Sequence, residues 1–108
     1  MMTKPACIPR EQLADAAFLS KVLSDANRLR ILCHLGQGEQ SVNQIAEVLD
    51  LSQPLVSHHL KELKRALLVR VERRGPFIFY TLASEEILFI LRTLSALAQA
   101  LLAEKKSF

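Results

Sequence analysis

The segment Leu51–Val69, LSQPLVSHHLKELKRALLV, decides the fold of this chain. Ser52 is a favourable N-cap, and Pro54 then stands in the first helical turn, where its missing N–H costs nothing. At about 100° per residue the segment separates into two faces. The apolar face gathers Leu55, Val56, Leu60, Leu63 and Leu67. An amphipathic helix is therefore predicted here.

The outward face of this helix combines neutral hydrogen-bonding groups with cations. Its members are Gln53, Ser57, His58, Lys61, Lys64 and Arg65. Neutral side chains of this kind read base edges in the major groove of DNA, and cations hold phosphates. Because an ordinary solvated helix surface has a similar composition, this helix alone leaves both interpretations open.

A second short helix is predicted directly upstream. Ser41-Val42-Asn43-Gln44 has the S-x-x-Q pattern of a capping box. Apolar residues follow at the i, i+3, i+4 and i+7 positions of a helix: Val42, Ile45, Ala46 and Leu49. The link Asp50-Leu51-Ser52 is only three residues long, so residues 41–67 are predicted to form a helix-turn-helix. This favours DNA binding over a merely solvated surface.

A β-hairpin is predicted downstream, over residues 68–82. Val69–Glu72 alternates between apolar and polar residues, and Phe77–Leu82 is rich in β-formers. The intervening Arg73-Arg74-Gly75-Pro76 is predicted to turn. A hairpin after a recognition helix is a wing, and Arg73 and Arg74 at its tip would contact a phosphate or the minor groove. The alternative for each arginine is a solvated turn residue.

The flanking segments are helical and strongly apolar. Residues 1–8 are predicted to be a tail, followed by a helix over residues 9–24 and a second helix, Ala26–Leu35, with Asp25 as N-cap and Gly36 beyond its end. Gln37–Gln40 is predicted to be a polar turn. The last helix, residues 84–104, is apolar nearly all round, but its apolar run, residues 87–103, is shorter than the about 20 residues of a membrane span and contains Arg92. Pairing of the first and last helices with a second copy explains this surface.

Length and composition place these segments in a single domain. The chain has 108 residues, a formal charge of +3 and two cysteines. Two cysteines fit a reducing cytosol, and the N-terminus has no apolar signal region. We find no nucleophile with a base, no carboxylate pair and no phosphate loop, so no enzyme, catalytic residue or cofactor is predicted. The fold predicted is mainly α with a small β-hairpin, in the order α-α-α-α-β-β-α: a winged helix-turn-helix.

Between Leu23 and Leu82 the chain resembles the ArsR/SmtB family of bacterial winged-helix repressors. The similarity rests on three stretches: LSDANRLRILCHL, SVNQIAEVLDLSQPLVSHHLKELKRALLV and VERRGPFIFYTL. It implies a cytoplasmic homodimer, joined by its first and last helices, that binds a palindromic operator on double-stranded DNA until an inducer releases it. On this basis the DNA-binding residues are Ser52, Gln53, Ser57, His58, Lys61, Lys64, Arg73 and Arg74.

Family members differ mainly in the site that senses the inducer. The soft-metal sensors would have cysteines at the positions of Ser41 and Asn43, and the zinc sensors use Asp, His and Glu on the last helix. Residues 84–104 contain neither His nor Asp, so no metal site of either kind is predicted.

Cys33 resembles the second-helix cysteine of the family's sulfide and persulfide sensors. Those proteins pair it with a cysteine on the last helix, which this chain lacks, so Cys7 in the tail is the available partner. Three roles stay open for Cys33: packing, a redox sensor with Cys7, or a metal ligand with Cys7 and His34. The inducer is not identified by the sequence.

Two of the histidines are predicted to have different surroundings. His59 falls within the apolar arc and is predicted to be a hydrogen-bonded core residue, whereas His34 is predicted to be solvated.

A winged-helix module that binds only proteins is the alternative to a repressor. The cationic face of the recognition helix favours DNA, because a protein partner would favour an apolar or acidic face.

Overall fold

A computed structural model describes residues 4–106. Its helices and strands follow the predicted order, with a two-residue strand added between the second and third helices. Its helices and strands are α1 (Leu13–Val22), α2 (Ala26–Leu35), β1 (Gln40–Ser41), α3 (Val42–Leu49), α4 (Gln53–Arg65), β2 (Val69–Arg74), β3 (Phe77–Leu82) and α5 (Glu86–Lys106). A 3₁₀ turn, Arg10–Gln12, precedes α1, which is shorter than the predicted helix over residues 9–24. The mainly helical winged-helix architecture is confirmed.

The helix starts are fixed by the side chains that the sequence indicates. The Ser41 hydroxyl accepts a hydrogen bond from the Gln44 amide (3.2 Å), and the Gln44 side-chain oxygen accepts one from the Ser41 amide (2.8 Å), which completes the capping box. The Ser52 hydroxyl accepts from the Leu55 amide at 3.3 Å. Both helices of the helix-turn-helix therefore begin where predicted.

The core joins α4 to the helices that precede it. Its fully buried side chains come from α2, α3 and α4: Ile31, Leu32, Ile45, Val56, Leu60 and Leu63. Burying each such aliphatic side chain stabilises the fold by about 1.5–3 kcal/mol. The inner face of α4 is thereby fixed, and its outer face is left to solvent.

The C-terminal end of α4 differs from the prediction. Leu67 was placed on the apolar face, but the helix ends at Arg65 and Leu67 is 80% exposed with φ of 61°. The Leu68 amide donates to the Leu63 carbonyl and the Leu67 amide to the Lys64 carbonyl, both at 3.0 Å. These two bonds form a Schellman motif, whose left-handed residue turns away from the core. Leu55 was also expected inward, yet it is exposed in the first turn of α4.

The wing is a three-stranded antiparallel sheet in the order β1-β3-β2. Gln40 pairs with Tyr80 and Ser41 with Phe79, so the predicted polar turn ends in a short strand. The prediction that Arg73 and Arg74 turn is wrong, because both belong to β2 and pair with Ile78 and Phe77. Only Gly75-Pro76 forms the loop, and Gly75, with φ of 61°, supplies the left-handed first position of a type II′ turn, since the ring of Pro76 excludes the positive φ that type I′ needs at the second position.

Helices α1 and α5 leave most of their apolar side chains uncovered. Val22 is the buried residue of α1, and Ile87 and Leu91 are those of α5. The exposed ones include Leu13, Phe18, Leu19, Phe89, Ile90, Leu94, Leu97 and Leu101. The stretch Glu86–Ala103 is long and apolar enough to cross a membrane, and 6% of it is buried. The expectation that this helix is too short for a membrane span is therefore wrong.

Gly36 permits α5 to pack closely on the end of α2. Its φ of −61° is right-handed, so it is not the left-handed helix cap that glycine usually provides. A Cβ at this position would lie 2.8 Å from Leu88 Cδ1 and 3.0 Å from the Cys33 carbonyl oxygen. The absent side chain, and not backbone freedom, is what this glycine contributes.

Candidate nucleic-acid interface

The outward face of α4 presents the residues predicted to read DNA. Gln53, Ser57 and His58 are exposed in its N-terminal half, and Lys61 and Lys64 are exposed further along. At 1.5 Å per residue this face extends over about 16 Å. The neutral groups occupy the N-terminal half of this face, and the cations lie one to two turns further along. Ser52 is exposed too, but its hydroxyl caps α4.

His59 lies on the opposite side of α4, next to His58 in sequence. It is 4% exposed, and its Nδ1 accepts a hydrogen bond from Arg28 Nε at 3.2 Å. Asp25 Oδ1 lies 3.8 Å from His59 Nε2. The prediction of a hydrogen-bonded core histidine is confirmed. The structural role of Arg28 was missed, although the Asp-x-x-Arg spacing of Asp25 and Arg28 was visible.

The two wing arginines have different surroundings. Arg73 is exposed on the strand face shared with Val71. Arg74 points to the other face, where its guanidinium pairs with Glu39 and stacks 4.1 Å from the centre of the Phe79 ring. The hydrogen bond to Glu39 raises the pKa of Arg74 above its ordinary value. Arg74 therefore braces the wing against the loop before β1, a contact that local sequence could not indicate.

Cys33 faces a groove between α2 and α5. It is exposed, and it borders a cavity of about 500 Å³ that is also lined by Gln37, Leu88, Arg92, Ser95 and Gln99. The packing role for Cys33 is therefore not supported, because its side chain is not enclosed in the core. Cys7 is also exposed, and both thiols are free.

The metal-ligand alternative for Cys33 finds no support either. Within residues 4–106 no three His, Cys, Asp or Glu side chains are grouped so that they could hold a metal ion. His34, predicted to be solvated, is only partly exposed, and its Nε2 is buried with no hydrogen-bond partner among the described residues.

Comparison with known proteins gives one family match, over the helix-turn-helix. Residues 25–71 match the family model described as bacterial regulatory protein, arsR family. The chain is 39% identical over 98 residues to the HTH-type transcriptional repressor SmtB of Mycobacterium tuberculosis, covering 91% of this chain and 71% of that protein. It is 39% identical over 83 residues to the regulator KmtR of the same species, covering 77% of this chain but only 64% of KmtR.

A solved structure agrees with the fold as well. The homodimeric winged helix-turn-helix DNA-binding domain of Mb0332 from Mycobacterium bovis, described as a possible ArsR-family transcriptional regulator, superposes with a TM-score of 0.74 at 28% identity. The match covers 91% of each chain, so it includes α1 and α5 as well as the helix-turn-helix and the wing.

Proposed function

Because this chain belongs to the ArsR family of bacterial regulatory proteins, we propose that it is a cytoplasmic, homodimeric transcriptional repressor. It binds a palindromic operator and leaves it when Cys33 is modified. The observation that carries DNA binding is the exposed face of α4, with Gln, Ser and His ahead of two lysines on a helix anchored by a buried core. No enzymatic activity is part of this proposal.

Homodimerisation through α1 and α5 accounts for their uncovered apolar side chains. Exposed apolar residues concentrated on two helices are typical of an interaction site in a soluble protein. A membrane is the less economical partner, because Arg92 would lie inside the span and charged residues are costly there. The similar Mb0332 domain is homodimeric. In such a dimer the two α4 helices would enter successive major grooves about 34–36 Å apart.

Sensing by Cys33 is supported by its exposure in the groove between α2 and α5. Its thiolate would attack the outer sulfur of a small persulfide, taking up that sulfur and releasing the small thiol, to give a Cys33 persulfide. The Cys7 thiol of the same or the other subunit would then attack the Cys33 sulfur, forming a disulfide and releasing hydrogen sulfide. A disulfide needs the two Cα atoms within about 7 Å, so this step requires the segment that carries Cys7 to lie against α2.

Operator affinity measured in each thiol state tests this function. The reduced protein is expected to select a palindromic site from random double-stranded DNA, and persulfide treatment is expected to weaken that binding at least tenfold, a change of about 1.4 kcal/mol. Cys33→Ser should abolish the response, whereas Cys7→Ser should block the cross-link but leave the Cys33 persulfide detectable by mass spectrometry.

Two results would contradict parts of the proposal separately. If the reduced protein selects no DNA sequence, the chain is not a repressor and a protein partner becomes the target of α4. If it selects an operator but keeps full affinity after Cys33 has been shown to be modified, DNA binding stands and the inducer is not a thiol reagent.

A further inference from the structure

Arg28 connects three helices through one guanidinium group. Its Nε donates to Nδ1 of His59 on α4, and its Nη1 donates to the carbonyl of Val22, the last residue of α1, both at 3.2 Å. Its own backbone amide is held by the Asp25 cap of α2 at 3.2 Å. Since a guanidinium is planar, these bonds constrain the rotation of α4 relative to the end of α1.

The residue that receives this hydrogen bond is well placed to affect DNA reading. His59 is the polar side chain buried in the described core, and its ring centre lies 5.5 Å from that of His58 on the outward face. A change in the position of His59 within the core therefore turns or shifts the part of α4 that carries Ser57 and His58.

We propose that Arg28 and His59 are positioning residues for operator recognition, and that they hold the outward face of α4 at the angle that both half-sites require. The inference rests on the proposed function. Helix α1 belongs to the proposed dimer interface, so a link from its last carbonyl to α4 fixes each reading helix relative to the two-fold axis. Sequence-specific contacts depend on this angle, whereas phosphate contacts from flexible lysines tolerate error.

The link works only while His59 is neutral, because Nδ1 must present a lone pair to Arg28. Burial lowers the pKa of His59 below its ordinary value of 6.5; the Asp25 carboxylate opposes this effect, and the charges of Arg28 and His58 add to it. Protonation would place a hydrogen on Nδ1, set two cations against each other and draw the ring toward Asp25. Specific binding is therefore complete above this pKa and is lost as the pH falls through it.

The measurement is the ratio of operator to non-specific affinity between about pH 7.5 and about pH 5.5 at constant salt. We expect the ratio for the wild-type dimer to fall about threefold to tenfold toward acid pH, since a pKa difference of one unit between the free and bound states is a factor of ten. Using the ratio removes any general effect of pH on electrostatic binding to DNA.

Two variants separate positioning from stability alone. His59→Asn keeps an acceptor near the Nδ1 position but does not titrate, so its ratio should stay close to the neutral wild-type value across the pH range. Arg28→Lys keeps the charge but replaces two donors fixed in one plane by a single ammonium on a flexible chain, so it should lower the ratio at every pH while non-specific binding persists. Circular dichroism at each pH shows whether the proteins are folded.

A wild-type ratio that does not change with pH would overturn the proposal, and so would an equal pH dependence in His59→Asn. If Arg28→Lys fails to fold, the His59→Asn profile decides alone. A wild-type protein that selects no operator at neutral pH would instead refute the proposed function, so the two failures are distinguishable.

Discussion

At the scale of single residues, two adjacent histidines on α4 have opposite surroundings. His58 is exposed among the groups proposed to contact bases, whereas His59 is buried against Arg28. A helix turns about 100° per residue, so one step along the chain moves a side chain from the groove-facing surface to the core. Selectivity for DNA is therefore expected to reside in the exposed residues of the N-terminal half.

Replacing Gln53 or Ser57 by Ala should relax sequence selectivity. Each lost base contact is expected to cost about 1–3 kcal/mol against the operator and little against random DNA. Lys61→Ala is the matched control: it should weaken all sequences alike and reduce the salt dependence of binding. Competition binding at several salt concentrations measures both effects. Unchanged operator selectivity in both alanine variants would mean that another surface reads the bases.

At the scale of secondary-structure elements, both helices of the helix-turn-helix end in a left-handed residue that is not glycine. These are Asp50, with φ of 54°, and Leu67, with φ of 61°. Aspartate tolerates this conformation because its short side chain hydrogen-bonds locally, but leucine does not. Leu67 combines this backbone cost with an exposed apolar side chain, so the end of α4 is a locally unfavourable point in the fold.

Leu67→Gly should raise the free energy of unfolding by about 0.5–1 kcal/mol. Glycine relieves the left-handed strain, and its greater freedom in the unfolded chain cancels part of the gain. Leu67→Ala retains the Cβ and should leave stability nearly unchanged, which isolates the backbone effect. Urea unfolding at one fixed protein concentration measures the difference. A destabilised glycine variant would show that the Leu67 side chain makes a contact of its own.

The sequence predicts those features of the elements that depend on residues close together in the chain. The capping box, the three-residue link and the outward face of α4 depend on neighbours within one or two turns, and all three agree with the structure. Strand β1 requires Gln40 to pair with Tyr80, and the brace on Arg74 requires Glu39; both partners are distant in the chain. The exposure of Cys33 likewise depends on how α5 packs across Gly36. Contacts of this kind are not encoded in local periodicity.

At the scale of the whole molecule, a single subunit leaves most of the apolar side chains of α1 and α5 exposed. Fourteen large apolar residues are exposed in the described chain, and nine of them lie on these two helices. A stable homodimer usually buries about 800 Å² on each subunit. Pairing with a second copy through these two helices would cover these side chains.

Leu97→Asp should separate the subunits. A carboxylate placed in an apolar interface loses its hydration without a partner, and we expect the dimer dissociation constant to rise at least about 100-fold, equivalent to about 2.7 kcal/mol. Val48→Asp is the control, because Val48 is equally apolar and 61% exposed but lies on α3. Sedimentation at micromolar concentration should give a wild-type dimer. A well-folded wild-type monomer would contradict the prediction.

The uncovered faces of α1 and α5 also make the abundance of this protein part of its behaviour. When two copies must meet, the concentration of paired molecules at low expression rises with the square of the total, so halving the supply removes about three quarters of the pairs. Dilution at cell division or slower synthesis would then lower the occupancy of a target site without any chemical signal. Occupancy of the site would then depend more steeply on the concentration of this protein than it does for a protein that binds DNA as a monomer.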